Sequence, residues 1–261
     1  MTEGEFNLVR SVGFVVAASC AVALQRWYPH ARVRRPFGSS VGLWAVNLIV
    51  LGAVCGGCAC TVARWAASER IGLLNATAAP LWMALPLSVV VLDFVSYCWH
   101  RANHRIRPLW RFHQVHHSDA AFSVSTGVRF HPGELVLSLP LRLIAIAVVG
   151  APLAGVIVFE IVFSIANLIE HGDIDLPLAF ERRLGRALIT PALHRRHHSR
   201  QRGELDSNYG TIFAIWDRLL GTFVDNSSAV SVDTGLPELQ DTPGLRAALA
   251  LPTRVYGRAT L

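Results

Sequence analysis

Eight of the eleven histidines fall in three short boxes. H-R-A-N-H supplies His100 and His104, H-Q-V-H-H supplies His113, His116 and His117, and H-R-R-H-H supplies His194, His197 and His198. Residues at i, i+3 and i+4 share one face of a helix, so each box aims two or three imidazoles in one direction. Neutral imidazole is a ligand for iron, zinc, copper and nickel. Eight such ligands exceed what one ion takes, so the boxes imply two metals. One HxxHH in an arginine-rich loop reads as a solvated basic patch. Three boxes placed just outside apolar runs make that coincidence poor.

The neighbours of the boxes carry further candidates. Asp93, Tyr97, His100 and His104 lie on one helical stripe. Asp93 there is either an acceptor for the second-nitrogen proton of a ligand histidine or a helix-end charge at the membrane interface. His171 closes a long apolar run and stands four residues after Asn167, on the same helical face. Polar groups emerging from such a run are functional by default. His131, in R-F-H-P-G, is read as an outer-shell donor ahead of a metal ligand or a loop residue. His30 sits in a basic loop and reads as solvated.

The elements that must position these groups are apolar helices. Hydrophobic residues make up 52% of the 261 residues and charged residues 16%. The mean hydropathy is +0.39. Soluble domains carry about 25% charged residues, so the composition marks a membrane protein. Pro36 to Ala63 and Ile71 to Leu92 contain no charged residue, and each exceeds the roughly 20 residues a spanning helix needs. Phe6 to Tyr28 spans if Arg10 and Arg26 snorkel, which puts Trp27 and Tyr28 in an aromatic belt. The acidic start at Glu3 and Glu5 argues for a retained helix over a cleaved signal. Leu135 to Ile169, broken at Gly150-Ala151-Pro152, reads as a hairpin of two short helices. Arg142 and Glu160 either pair across it or both lie at the interface.

The organisation expected is an anchor over 1–92, a polar catalytic region over 93–225 with the membrane hairpin 134–169 inserted, and a tail over 226–261. The net charge of +6 fits basic residues facing the cytoplasm and anionic headgroups, not nucleic acid. Arg26, Arg32, Arg34 and Arg35 place the first loop, and with it the histidine boxes, on the cytoplasmic side. Of the five cysteines, the CxxC within Cys55 to Cys60 lies in an apolar run. It reads as packing residues ahead of a zinc site or disulfide. Asn75-Ala76-Thr77 and Asn226-Ser227-Ser228 match the glycosylation triplet only weakly.

The stretches D-F-V-S-Y-C-W-H-R-A-N-H, L-W-R-F-H-Q-V-H-H-S, P-A-L-H-R-R-H-H-S, N-Y-G and W-D-R-L-L-G-T occur in this order between Asp93 and Val224. This pattern resembles the fatty acid hydroxylase superfamily, which includes sterol desaturases, methylsterol oxidases and sphingolipid hydroxylases. The resemblance implies an all-α integral membrane bundle of about four transmembrane helices, the last region a hairpin, beneath a cytoplasmic helical cap. It implies a non-haem diiron centre on the eight box histidines, with a further metal contact at His171. Some relatives have HxxxH at that point; Asn167 occupies its first slot here. Asn208, Tyr209, Gly210, Trp216 and Asp217 also match family positions, in structural or outer-shell roles.

The chemistry implied is oxidation of a lipid-like substrate with O2 as co-substrate. Hydroxylation and desaturation, and sterol, sphingolipid or fatty acyl substrates, are left open. No ferredoxin-type cysteine set or flavin fingerprint is present, so electrons come from a separate protein. The HPGE at 131–134 is unlike a cytochrome b5 haem site in context, with no room for that fold. Two other classes are weighed against this reading. A membrane zinc hydrolase would carry HExxH and fewer histidines. A metal transporter or sensor would place its site near the bilayer midplane. Zinc found in purified protein would not exclude iron, since nitrogen sites prefer zinc to Fe(II).

Overall fold

The computed structural model describes residues 2–31, 37–55, 57–225 and 233–256. Arg32, Arg34, Arg35 and the Asn226 triplet lie outside the described residues. No strand occurs among the described residues, only isolated bridges such as Pro29 with Ile174.

Helix α1 (Glu3–Trp27) starts with a capping box between Thr2 and Glu5, which satisfies two end donors reciprocally. The apolar run after it forms α2 (Gly38–Cys55) and α3 (Cys58–Ser68). They are separated at Gly57, whose φ of +75° suits a residue without Cβ. Cys58 is disulfide-bonded, which corrects its reading as a packing thiol. Cys20, Cys60 and Cys98 are free. A single turn, α4 (Leu73–Ala76), leads into α5 (Leu81–Arg105). The third apolar segment therefore starts later than expected and runs unbroken past position 92, carrying the first histidine box on its last turns.

Helix α6 (Arg107–His117) follows almost at once, with Pro108 in its first turn, where proline costs no hydrogen bond. The expected hairpin is α7 (Pro132–Val149) and α8 (Leu153–Glu170). At 18 residues each, they extend about 27 Å against a hydrocarbon core of about 30 Å. Among the described residues, five segments are long and apolar enough to cross a membrane: α1, Gly38–Ala76, α5, α7 and α8. Leu8, Val12, Val16, Ile49, Trp82, Ile144 and Val148 point outward from them, as lipid-facing side chains do. The chain is a multi-pass, all-helical membrane protein.

Short elements gather at one end of the bundle: α9 (Leu178–Leu184), α10 (Pro191–His197), α11 (Arg202–Leu205), α12 (Ile215–Leu219) and α13 (Leu245–Ala250). The core between α3, α5, α7 and α8 is built from Val89, Leu92, Ile146, Val156 and Phe159. A second core clamps α6 between α2 and the tail, through Leu43, Trp110, Val115, Ala248 and Leu251. Arg129 is fully buried and donates to Val115 O, Ser118 Oγ, Ser39 Oγ and Pro243 O. That guanidinium ties the end of α6 to the start of α2 and to the tail. The Arg142–Glu160 pair forms at 3.8 Å, and Arg10 of α1 joins the same carboxylate at 3.1 Å.

Candidate metal centre

The last turns of α5, the length of α6, the end of α8 and α10 converge at the capped end of the bundle. They bring nine histidines into two sets. His100, His104, His113, His117 and His197 form the first, and His116, His171, His194 and His198 the second. Within each set the ligating atoms lie within 4.8 Å of one another. The boxes are divided between the sets. Adjacent residues on α6 diverge by about 100°, so His116 faces one set and His117 the other. His197 and His198, adjacent at the end of α10, part in the same way.

The ring nitrogens show which atom each histidine presents. In the first set, His100 Nδ1 donates to Tyr209 O at 2.8 Å, His197 Nδ1 to Ser207 O at 2.6 Å and His113 Nδ1 to Glu134 Oε1 at 2.9 Å. Donation from Nδ1 fixes the tautomer and leaves a bare Nε2 lone pair facing inward. All three Nε2 atoms are buried without a hydrogen-bond partner. In the second set, His171 Nδ1 donates to Asn167 O at 2.6 Å, and its Nε2 lies 3.0 Å from His116 Nε2 and 2.9 Å from His194 Nε2. Both nitrogens of His198 are buried without a partner. Buried lone pairs facing one another are costly unless a cation sits among them. The donor sets therefore fit metal ions.

Burial, more than neighbouring histidines, holds His116, His117, His194 and His198 well below the ordinary imidazole range. Burial likewise lowers His171 and His197 to about 3. These rings are neutral at physiological pH, the form that binds metal. Phe130 stacks on His116 with ring centroids 4.4 Å apart, and Trp110 packs on His104 and His117.

Asp93 and His131 are placed otherwise than expected. Asp93 is fully buried and touches no histidine nitrogen. It accepts from Ile212 N, Phe213 N and Trp216 Nε1 at 3.1, 3.2 and 2.8 Å. It is thus an anchor for the loop that supplies Ser207 O and Tyr209 O. His131 belongs to neither set. Its Nδ1 accepts from Gly133 N and caps α7, while its Nε2 faces Leu249 O at 3.3 Å. Asn167 donates its amide to Gly127 O and meets His171 only through its backbone carbonyl.

The N-Y-G stretch now has a physical account. Asn208 adopts φ +49°, which asparagine tolerates. Its side chain bonds Leu193 O, Val224 O and Val224 N. Asp217 accepts from Tyr209 N and Gly210 N, each at 2.8 Å. A Cβ at Gly210 would lie 2.7 Å from Phe213 O.

Two carboxylates were not singled out from sequence. Glu134 holds both His113 and Asn103 Nδ2. Glu170 lies buried, its oxygens 3.7 Å from His171 Nδ1 and 3.8 Å from His194 Nδ1. The available signal was an acidic residue at each end of an apolar hairpin. Replacing Glu134 by alanine is expected to weaken metal retention by about 10–100-fold, the usual scale for an outer partner of a ligand histidine. Glu134→Gln, which keeps an acceptor, should lose less. Competition with a chelator measures both.

Against the histidines lies a cavity whose walls are mostly apolar: Leu92, Val95, Leu135, Leu141, Phe159 and Phe163. His100, His113, His116, His171 and His194 form its inner end.

The family model for fatty acid hydroxylase matches residues 85–222. Ornithine lipid hydroxylase OlsE of Rhizobium tropici is 34% identical over 179 residues, covering 69% of this chain and 53% of that protein. Human alkylglycerol monooxygenase (Homo sapiens) is 31% identical over 137 residues, 51% of this chain and 28% of that protein. A cholesterol 25-hydroxylase-like protein of Danio rerio is 31% identical over 145 residues, 53% of this chain and 54% of that protein. The chain thus spans about half the length of these relatives, or less. No solved structure matches it.

Proposed function

The chain belongs to the fatty acid hydroxylase family, and on that premise we propose that it is a membrane-bound non-haem diiron oxidoreductase that uses O2 to hydroxylate or desaturate a lipid. The observation that carries this reading is the division of nine histidines, eight of them buried, into a set of five and a set of four beside one apolar cavity. Two iron ions, when bound, supply the activation of O2 and the removal of hydrogen from an unactivated C–H bond.

The chain's own residues do the rest. His100, His104, His113, His117 and His197 would hold one ion; His116, His171, His194 and His198 the other. Ser207 O, Tyr209 O, Asn167 O and Glu134 orient the rings. Leu135, Phe159 and Phe163 give the substrate an apolar seat and exclude water from it. The names of the matched relatives point to lipid substrates, which the apolar cavity suits. A separate protein would deliver the electrons.

The anchor over 1–92, the catalytic region over 93–225 and the tail over 226–261 remain our division of the chain by task. We place the histidine end on the cytoplasmic face. Arginines cluster in the sequence around and after the end of α1 (Arg26, Arg32, Arg34 and Arg35), as the positive-inside rule asks. The disulfide-bonded Cys58 lies next to Gly57, which packs against Glu3 at the opposite end of α1, and disulfides persist on the oxidising side.

The test is anaerobic iron reconstitution of detergent-purified protein, then O2 uptake after reduction, with His116→Ala as control. About two irons per chain and O2 uptake that depends on His116 are expected, given two sets of buried imidazoles. Failure to bind two irons, or uptake indifferent to His116, would sink the reading and return zinc hydrolysis and metal transport to consideration.

A further inference from the structure

A charged group stands where the substrate cavity leaves the metal centre. Arg142 lines the same cavity as His113 and His171. It lies eight residues beyond Glu134 on α7, about 12 Å along the axis. Glu160, facing it on α8, lies ten residues before Glu170, about 15 Å from the histidine end. Both positions fall near the middle of 18-residue helices, so these charges sit deep in the membrane span. Charges at such depth are expensive and mark function by default.

The local charges do not cancel. Arg10 and Arg142 share the one carboxylate of Glu160. Counting formal charges, two positive and one negative leave one positive. Glu160 is better engaged by Arg10, at 3.1 Å against 3.8 Å for Arg142. Among the described residues Arg142 makes no hydrogen bond. Its other contact is the face of Phe159, 5.5 Å from the ring centroid. A guanidinium has five donors, and its side chain is 39% exposed. It lines the cavity between a ring and a distant carboxylate, with part of its side chain exposed.

We propose that Arg142 binds the anionic head of a long-chain monoanion, a carboxylate in the first place, whose apolar chain runs up the cavity to the histidines. This rests on the lipid-oxidation reading and narrows its substrate class. A monoanion brings the Arg10–Glu160–Arg142 cluster to neutrality, which a dianion does not. The planar fork of arginine matches a carboxylate in two parallel hydrogen bonds. The carbon facing the metal centre is then set by the roughly 12 Å between Arg142 and Glu134 along α7.

Binding is tested without turnover, on the full chain loaded with redox-silent zinc in lipid nanodiscs. Hexadecanoic acid at alkaline pH, methyl hexadecanoate and hexadecyl phosphate are compared by ligand-dependent thermal stabilisation. The acid is expected to bind about tenfold or more tightly than the ester, the scale of a charge-assisted hydrogen bond. Arg142→Gln should erase that preference, and Arg142→Lys should restore part of it. Glu160→Gln should move the other way and tighten acid binding, because it removes the competing carboxylate. That variant keeps the test decisive if Arg142→Gln fails to fold. Equal binding of acid and ester, or a preference that survives Arg142→Gln, overturns the proposal. Tighter binding of the phosphate than of the acid overturns the choice of a monoanion. Since no O2 is consumed, failure here is distinct from failure of the oxidase reading.

Discussion

His194→Ala is expected to empty one metal position and abolish lipid oxidation, while His104→Ala is expected to be partly tolerated in metal content. The difference comes from ligand number. Removing His194 leaves three donors in its set; removing His104 leaves four in the other. His194 also approaches His171 Nε2 at 2.9 Å, so its loss opens a hole beside two remaining rings. Four nitrogens still satisfy a tetrahedral ion, whereas three invite solvent or loss of the metal. The loss of oxidation in His194→Ala should exceed about 100-fold, since even an outer partner of a ligand costs 10–100-fold. Metal content by mass spectrometry separates the cases: about one metal retained for His194→Ala, and nearer two for His104→Ala. Equal loss in both would mean that the division into five and four does not describe the bound state.

That division was not legible in the sequence, although its members were. Each box announced its histidines through i, i+3 and i+4 spacing on a single helix face. Helix periodicity turns adjacent residues such as His116 and His117 apart by about 100°, but does not say which set each one joins. That depends on where α5 and α10 cross α6, a tertiary fact. The apolar helices were legible because charge is sparse in them. Their limits were less so: the charge-free run from Ile71 concealed the turn at Leu73–Ala76, and the run from Pro36 concealed the break at Gly57.

Asp93 and His131 show the opposite case. Both looked like metal-site residues by type and position, and both are built into the scaffold. A histidine before Pro-Gly can cap a helix as well as bind a metal, and only the bond from Gly133 N distinguishes the two. The backbone carbonyls of Ser207 and Tyr209 leave no mark in the sequence at all. What can be read is the N-Y-G and W-D spacing that shapes their loop.

Asp93→Ala tests that scaffold, and its expected effect is large. The carboxylate is fully buried and accepts from two backbone amides and the Trp216 indole. Its removal strands one buried donor and two partly buried ones, at up to roughly 1–3 kcal/mol each, a sizeable share of the roughly 5–15 kcal/mol that holds a domain folded. The damage should travel along the loop. Ile212 and Phe213 shift, Gly210 and Tyr209 follow, and His100 loses the carbonyl that fixes its tautomer. The expected result is a lowered melting temperature together with metal loss confined first to the five-histidine set. Asp93→Asn keeps an acceptor and should fall between. Cobalt substitution gives the readout, because its visible bands report each site's ligand field. An unfolded protein would lose the bands of both sites together. If Asp93→Ala lowered stability but left both sites' spectra unchanged, the carboxylate would be a fold anchor with no hold on His100.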